Sequence, residues 1–108
     1  MAAEKRRHPR VKIRIPVELR VEDSELVMRT ATSDISLGGC YVEMMFTLER
    51  GAQLEMTFDI GERILVLGRV VTCDPHVGNG IEFSKILPED EEKLRHYLEA
   101  ASDTPASR

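Results

Sequence analysis

The sequence is poor in aromatic residues: among 108 residues there are three phenylalanines, two tyrosines and no tryptophan. Proteins that bind single-stranded nucleic acid without sequence preference use aromatic side chains on which successive bases stack. No alternation of basic and aromatic residues is present in this chain. A general nucleic-acid binder is therefore disfavoured, and strongly salt-dependent binding without nucleotide selectivity would be needed to support one.

Cysteine is also scarce, since Cys40 and Cys73 lie far apart and form no CxxC pair. Two thiols without a secretory signal are typical of a reduced intracellular protein, so we expect a cytoplasmic location. The histidines, His8, His76 and His96, have no partner at metal-ligand spacing. Because a zinc site needs several such ligands, we predict no metal site and no cofactor.

Membrane segments and catalytic signatures are missing as well. No apolar run approaches the roughly 20 residues of a membrane helix, so no membrane insertion is expected. The basic N-terminus has no apolar stretch behind it and is not a secretory signal. Neither a nucleophile motif nor a phosphate-binding Walker loop is found. These absences favour a binding protein over an enzyme.

Charge is unevenly distributed along the chain, whose formal net charge is -4. Residues 1–20 hold seven basic and two acidic residues, whereas residues 21–108 hold eight basic and seventeen acidic residues. A basic head on an acidic body suggests an anionic partner for the head. A solvated charged tail is the alternative, and charge alone leaves both open.

Alternating apolar and polar residues predict a small, mostly β fold. The pattern from Val11 to Val21 has a period of two, which is typical of a half-buried strand. Pro16 within it predicts an edge position or a bulge. Further strands are predicted near residues 25–32, 40–44, 54–60, 64–72 and 81–83, of which 64–72 is the most continuously apolar and suits a central strand. Six short strands without intervening helices favour an antiparallel barrel.

One helix ends the predicted fold. Pro88 stands at its first position and is followed by acidic residues, which suit the positive end of a helix dipole. An apolar stripe at helical spacing follows, formed by Leu94, Tyr97, Leu98 and Ala101. The predicted organisation is a flexible basic arm at residues 1–10, a barrel with its helix at residues 11–101, and a disordered tail at residues 102–108.

Two short segments carry the polar chemistry. In residues 6–10, Arg6 and Arg10 present guanidinium groups that can each bind a phosphate or a guanine edge through paired hydrogen bonds. In residues 34–39, Asp34 and Ser36 are two positions apart, so both point to one side of an extended backbone. A carboxylate beside a hydroxyl suits a guanine edge and a nearby phosphate. Taken alone, this second segment is also explained by a turn in which Asp34 bonds its own backbone.

Together and in this order, the two segments resemble the PilZ domain family. The hallmark of that family is an RxxxR motif on an N-terminal arm and a D/NxSxxG motif on a strand of a small barrel. The matching residues here are Arg6, Arg10, Asp34, Ser36 and Gly39. A late glycine-rich segment, residues 78–83, is also similar to the family pattern. The resemblance implies a six-stranded antiparallel PilZ-type β-barrel with one C-terminal helix.

The same resemblance implies a receptor for cyclic di-GMP, a doubly negative dinucleotide, that performs no chemistry on its ligand. By carry-over, Arg6 and Arg10 contact phosphate and guanine Hoogsteen edges. Asp34 and Ser36 hold one guanine and part of the backbone, and Gly39 fixes the loop. An arm that orders over the ligand would change the shape of the protein and so regulate a downstream partner, with outputs of the motility, biofilm or virulence type.

Some features leave alternatives open. Secondary candidates for ligand contact are Lys5, Arg7, Gly38 and Gly80. The cationic Lys5 before the first motif arginine favours an intercalated ligand pair over a single ligand without deciding between them, and Arg7 either binds phosphate or is solvated. The alternative function is a PilZ-like module that binds a protein and no nucleotide.

Overall fold

The fold is a closed β-barrel followed by one helix, seen in a computed structural model that describes residues 9–45 and 47–103. Within these residues the elements are β1 Pro16–Val21, β2 Val27–Ile35, β3 Gly39–Glu43, β4 Gln53–Asp59, β5 Arg63–Asp74, β6 Gly78–Ile86 and α1 Pro88–Asp103. All neighbouring strands are antiparallel, in the order β1-β2-β3-β6-β5-β4, and β4 pairs back onto β1. The predicted six-stranded barrel with a C-terminal helix is confirmed.

The first strand begins at Pro16, five residues later than the alternating pattern predicted. Residues 11–15 instead join the barrel through a bridge between Val11 and Ile35 and through the buried side chain of Thr32. The Thr32 hydroxyl accepts a hydrogen bond from the Ile15 amide at 2.9 Å and donates one to the Ile13 carbonyl at 2.7 Å. Because β1 has partners on both sides and its pairing shows no register shift, the edge position or bulge predicted from Pro16 was wrong. Proline is tolerated here as the first residue of its strand.

Alternate residues of each strand fill the barrel interior, as the pleat of a strand requires. In β4 the buried residues are Leu54, Met56 and Phe58. In β5 the same alternation leaves Leu65 49% exposed, although residues 64–72 form the most continuously apolar stretch of the sequence. That strand is therefore not buried on both faces like the central strand of an open sheet, because every strand of a barrel has one outward face.

A bulge in β2 changes which side of the barrel its residues face. Thr32 pairs with Val42 and points inward, with no exposed surface, whereas Asp34 pairs with Tyr41. The register shifts between these two pairs, which leaves Ser33 as the extra residue. Such a bulge reverses the inward and outward alternation, so Asp34 faces outward although it is two positions from the buried Thr32.

Helix α1 packs its predicted apolar stripe against the barrel. Leu94 and Leu98 are buried in the same cluster as the strand residues, and Tyr97 packs against that cluster. Pro88 is the first helical residue, as predicted, and the helix continues to Asp103. Among the described residues, no helix is long and apolar enough to cross a membrane.

Candidate functional site

The two sequence motifs meet where the chain enters the barrel. Arg10 Nη1 lies 2.5 Å from Asp34 Oδ1, which joins residues 24 positions apart. The adjoining residues, Val11 and Ile35, exchange backbone hydrogen bonds of 2.8 and 3.0 Å. The side chains of Arg10 and Asp34 remain 32% and 28% exposed. The structure thus brings one residue of each motif together on the outer surface and leaves both open to a ligand.

Ser36 holds the loop between β2 and β3. Its Oγ accepts a hydrogen bond from the Gly38 amide at 3.0 Å and lies 3.4 Å from the Gly39 carbonyl oxygen. The Ser36 amide donates to that same carbonyl at 2.8 Å. Only 4% of Ser36 is exposed. The turn that the sequence allowed through Asp34 is therefore shaped by Ser36, and contact of its hydroxyl with a ligand stays a prediction.

The two glycines of the second motif connect this loop to β6. A Cβ atom at Gly39 would lie 2.4 Å from the carbonyl oxygen of Ile81, which is closer than non-bonded atoms can approach. The carbonyl of Gly38 accepts a hydrogen bond from the Phe83 amide at 2.9 Å. Close strand packing, and not a positive φ angle, is therefore what requires glycine at position 39.

Gly80 lies on β6 next to the aromatic ring of Tyr41. Tyr41 pairs across the sheet with Asp34 on one side and with Gly80 on the other. A Cβ atom at Gly80 would lie 3.7 Å from Tyr41 Cδ1, and the Tyr41 hydroxyl donates a hydrogen bond to Asp74 Oδ2 at 2.6 Å. The last strand was predicted only from residue 81, whereas β6 begins at Gly78, and no role was predicted for Tyr41. The sequence offers one signal for Tyr41. It follows Gly38 and Gly39, at a turn where two antiparallel strands are expected to pair.

A family comparison identifies this arrangement. The model of the PilZ domain matches residues 4–100, which include both motifs, all six strands and most of α1. The chain belongs to the PilZ domain family. No curated protein matches the sequence.

Solved structures share the fold of this PilZ domain. The inhibitor of motility MotI/DgrA from Bacillus subtilis has a TM-score of 0.77 and 20% identity over 94% of this chain, which spans only 53% of that protein. The PilZ domain of Escherichia coli YcgR, solved with c-di-GMP, has a TM-score of 0.75 and 14% identity, with 91% of this chain and 92% of that one covered. The PilZ domain of CeSA from a cellulose-synthesising bacterium has a TM-score of 0.68 and 21% identity, with 85% and 97% covered.

Two ionisable groups of this PilZ domain next to the motif pair have raised pKa values. Burial raises the pKa of the Cys40 thiol to about 12; the charge of Arg10 lowers it and that of Asp34 raises it. Burial also raises the pKa of the Tyr41 hydroxyl to about 12, together with its hydrogen bond to Asp74 and the negative charges of Asp74 and Asp34. Both groups are therefore neutral near pH 7, so Tyr41 presents an uncharged ring.

A groove of about 540 Å³ lies between residues 9–11 and helix α1. Its walls are formed by Pro9, Val11, Leu37, Arg95, Leu98, Glu99 and Ser102. Pro9 and Val11 flank Arg10, whose guanidinium points to Asp34 instead. The short segment 9–11 of this PilZ domain therefore contacts the motif pair on one side and the groove on the other.

Three of the predicted contact residues, Lys5, Arg6 and Arg7, lie outside the described residues. Within residues 9–45 and 47–103, no group of three or more His, Cys, Asp or Glu side chains is arranged to hold a metal ion. The described part of the PilZ motif site therefore consists of Arg10, Asp34 and the loop from Ser36 to Gly39.

Proposed function

We propose that this PilZ domain is a bacterial, cytoplasmic receptor for cyclic di-GMP that performs no chemistry on its ligand and regulates a downstream protein partner. The observation that carries the proposal is the contact between Arg10 and Asp34, which unites the two motifs on the outer surface. The presence of c-di-GMP in the YcgR PilZ domain, a neighbour in fold, supports the same ligand class.

The chemistry of the pair suits a guanine nucleotide. A guanidinium has five N–H donors in a planar fork, so Arg10 can keep Asp34 and still donate to a phosphate or to the guanine Hoogsteen edge. The ionised Asp34 carboxylate accepts hydrogen bonds only, which suits the N1–H and N2–H donors on the Watson–Crick edge of guanine. Because Asp34 neutralises part of the charge of Arg10, the doubly negative ligand needs further cations, and Arg6 is the second motif arginine that we assign to this role.

The groove beside the arm favours one alternative. A PilZ-like module that binds a protein and no nucleotide would use this groove, whose walls include the apolar Leu37 and Leu98 and the charged Arg95 and Glu99. In the receptor hypothesis the same groove reports ligand binding, because a shift of Arg10 moves Pro9 and Val11 in its wall. The two hypotheses differ in whether nucleotide binds at all.

Calorimetric titration of the full chain with cyclic di-GMP tests the proposal, with GTP and cyclic di-AMP as controls. We expect saturable, selective binding with a Kd in the micromolar range or tighter, equivalent to about -8 kcal/mol or better. The molar ratio distinguishes one bound ligand from an intercalated pair. Absence of both heat and thermal stabilisation would overturn the receptor function and leave the protein-binding alternative.

A further inference from the structure

A row of residues crosses the outer face of four neighbouring strands next to the motif pair. Asp34 of β2 pairs with Tyr41 of β3, Tyr41 pairs with Gly80 of β6, and Gly80 pairs with Thr72 of β5. Ile35 and Cys40, one position along from Asp34 and Tyr41, are fully buried. Asp34 and Tyr41 therefore share the outward face as direct cross-strand neighbours.

The ring of Tyr41 lies over the backbone of β6 because glycines leave room for it. Cβ atoms at Gly78 and Gly80 would lie 2.8 Å from Tyr41 Cε2 and 3.7 Å from Tyr41 Cδ1. These two carbons are on opposite sides of the ring, so the ring spans both glycines. The hydroxyl is held by Asp74 at 2.6 Å. One face of a positionally fixed ring is thus covered by β6, and the residue as a whole is only partly buried.

The other described aromatic residues have packing roles. Phe58 and Phe83 form an edge-to-face pair with ring centroids 5.9 Å apart. Phe83 and Tyr97 pack against the core cluster that contains Phe58. Tyr41 is absent from that cluster and its hydroxyl is already committed to Asp74, so the ring face is what it can offer to a ligand.

We propose that Tyr41 is a stacking surface for the guanine whose edge is bound by Asp34 and Arg10, an inference that rests on the proposed cyclic di-GMP function. Directly opposed residues of paired strands have Cβ atoms about 4.5–5.5 Å apart. A purine that reaches Asp34 with its edge therefore extends over its cross-strand neighbour. Gly78 and Gly80 then contribute to ligand binding indirectly, because the absence of their side chains lets the Tyr41 ring pack against β6.

Affinity measurements on three variants of the full chain test this proposal. Base–aromatic stacking is worth about 1–3 kcal/mol per base, so Tyr41→Ala should weaken cyclic di-GMP binding about 5- to 150-fold. Tyr41→Phe keeps the ring and should bind within about twofold of the natural sequence. Leu65→Ala, a control at an exposed position of β5 far along the strand from Thr72, should leave affinity unchanged.

A second readout does not depend on substitution of Tyr41. The chain has two tyrosines, so ring-labelled tyrosine gives two sets of proton NMR signals, which Tyr97→Phe assigns. Stacking should move the Tyr41 ring signals upfield on addition of cyclic di-GMP and leave those of Tyr97 in place. If the natural chain binds but Tyr41→Ala binds equally well and the Tyr41 signals stay unmoved, the stacking role is overturned and the receptor function stands. If the natural chain does not bind cyclic di-GMP, both proposals fail.

Discussion

Arg10 and Asp34 are 24 positions apart in sequence, yet their side chains meet at 2.5 Å on the surface of the barrel. Each side chain remains about one-third exposed, at 32% and 28%. Exposed ion pairs contribute only about 0–1 kcal/mol to stability. The ion pair therefore positions two functional groups but contributes little to the stability of the fold. Substitution of either residue should consequently affect ligand binding much more than stability.

Substitution of Arg10 by alanine is expected to abolish cyclic di-GMP binding and to leave the fold intact. The variant loses the guanidinium group beside Asp34, whereas the bridge between Val11 and Ile35 remains. Calorimetry should detect no binding, and the melting temperature should stay within a few degrees because the lost ion pair is worth about 1 kcal/mol at most.

Arg14→Ala is the matched control for this substitution. Arg14 also forms an exposed ion pair at 3.0 Å, but its partner is Glu43 and not the motif residue Asp34. This variant should bind like the natural chain. Wild-type-like affinity in Arg10→Ala would remove Arg10 from the site.

Substitution of Gly39 by alanine is expected to destabilise the barrel. The new methyl group would lie 2.4 Å from the Ile81 carbonyl oxygen, so β3 and β6 must separate. Overpacking of this kind costs about 1–3 kcal/mol, and each kcal/mol lowers the melting temperature of a domain near this size by roughly 4–8 °C. Thermal unfolding measured by circular dichroism checks this.

Glu43→Ala, at the exposed last residue of the same strand, is the control for Gly39→Ala. Its melting temperature should be close to that of the natural chain. If Gly39→Ala kept its stability but lost binding, the residue would be a ligand contact and not a packing requirement. Loss of both together agrees with the structure.

The barrel and helix were predictable because their apolar periods report directly on which face is buried. The alternation of Leu54, Met56 and Phe58 predicted β4 almost to its ends, and Gly61, at φ 95°, lies in the turn that follows this strand. The start of β1 was not predictable, since the alternation continues back to Val11 whereas strand pairing does not. Pairing depends on residues distant in sequence, which a local period does not report.

The sequence predicted which residues form the candidate site, but not how those residues are arranged on the surface of the barrel. Arg10 and Asp34 stand out in the sequence as motif residues. Asp34 faces outward, however, only because a bulge separates it from the buried Thr32. The sequence shows no local sign of that bulge. Tyr41 was missed for the same reason, because its relation to Asp34 exists only once β2 and β3 are paired in this register.

Thr32→Val is expected to loosen the segment that leads from the arm into β1. Valine has nearly the same shape but leaves the Ile15 amide and the Ile13 carbonyl without the hydroxyl that now bonds both. A buried polar group left unsatisfied costs about 1–3 kcal/mol. Chemical denaturation should show this loss, and amide hydrogen exchange should accelerate at Ile15.

Thr57→Val is the control for Thr32→Val, since Thr57 lies on the outward face of β4 and is only partly buried. Its stability should change by less than about 0.5 kcal/mol. Equal stability of the two variants would show that the hydrogen bonds of the Thr32 hydroxyl to Ile13 and Ile15 do not stabilise the fold.

Stability should fall steeply in alkaline solution because of Cys40. Burial raises the pKa of this thiol from its ordinary value of 9.0 to about 12 in the folded chain. Between these values the unfolded state has lost its proton while the folded state keeps it, so the unfolded state binds fewer protons and is favoured as pH rises. The contribution of this group should approach about 1.4 kcal/mol per pH unit between about pH 9 and pH 12. Urea denaturation at a series of pH values measures it.

Two cysteine variants isolate this effect from other alkaline titrations. Cys40→Ala leaves a small cavity and lowers stability at every pH, but it should make the decline above about pH 9 less steep, because one of the two groups with a raised pKa is gone. Cys73→Ala, which removes the other thiol of the chain at a partly buried position, is the matched substitution for comparison. An unchanged slope in Cys40→Ala would mean that the buried thiol does not govern alkaline stability, and that the Tyr41 hydroxyl, whose pKa is also raised to about 12, is the next group to substitute.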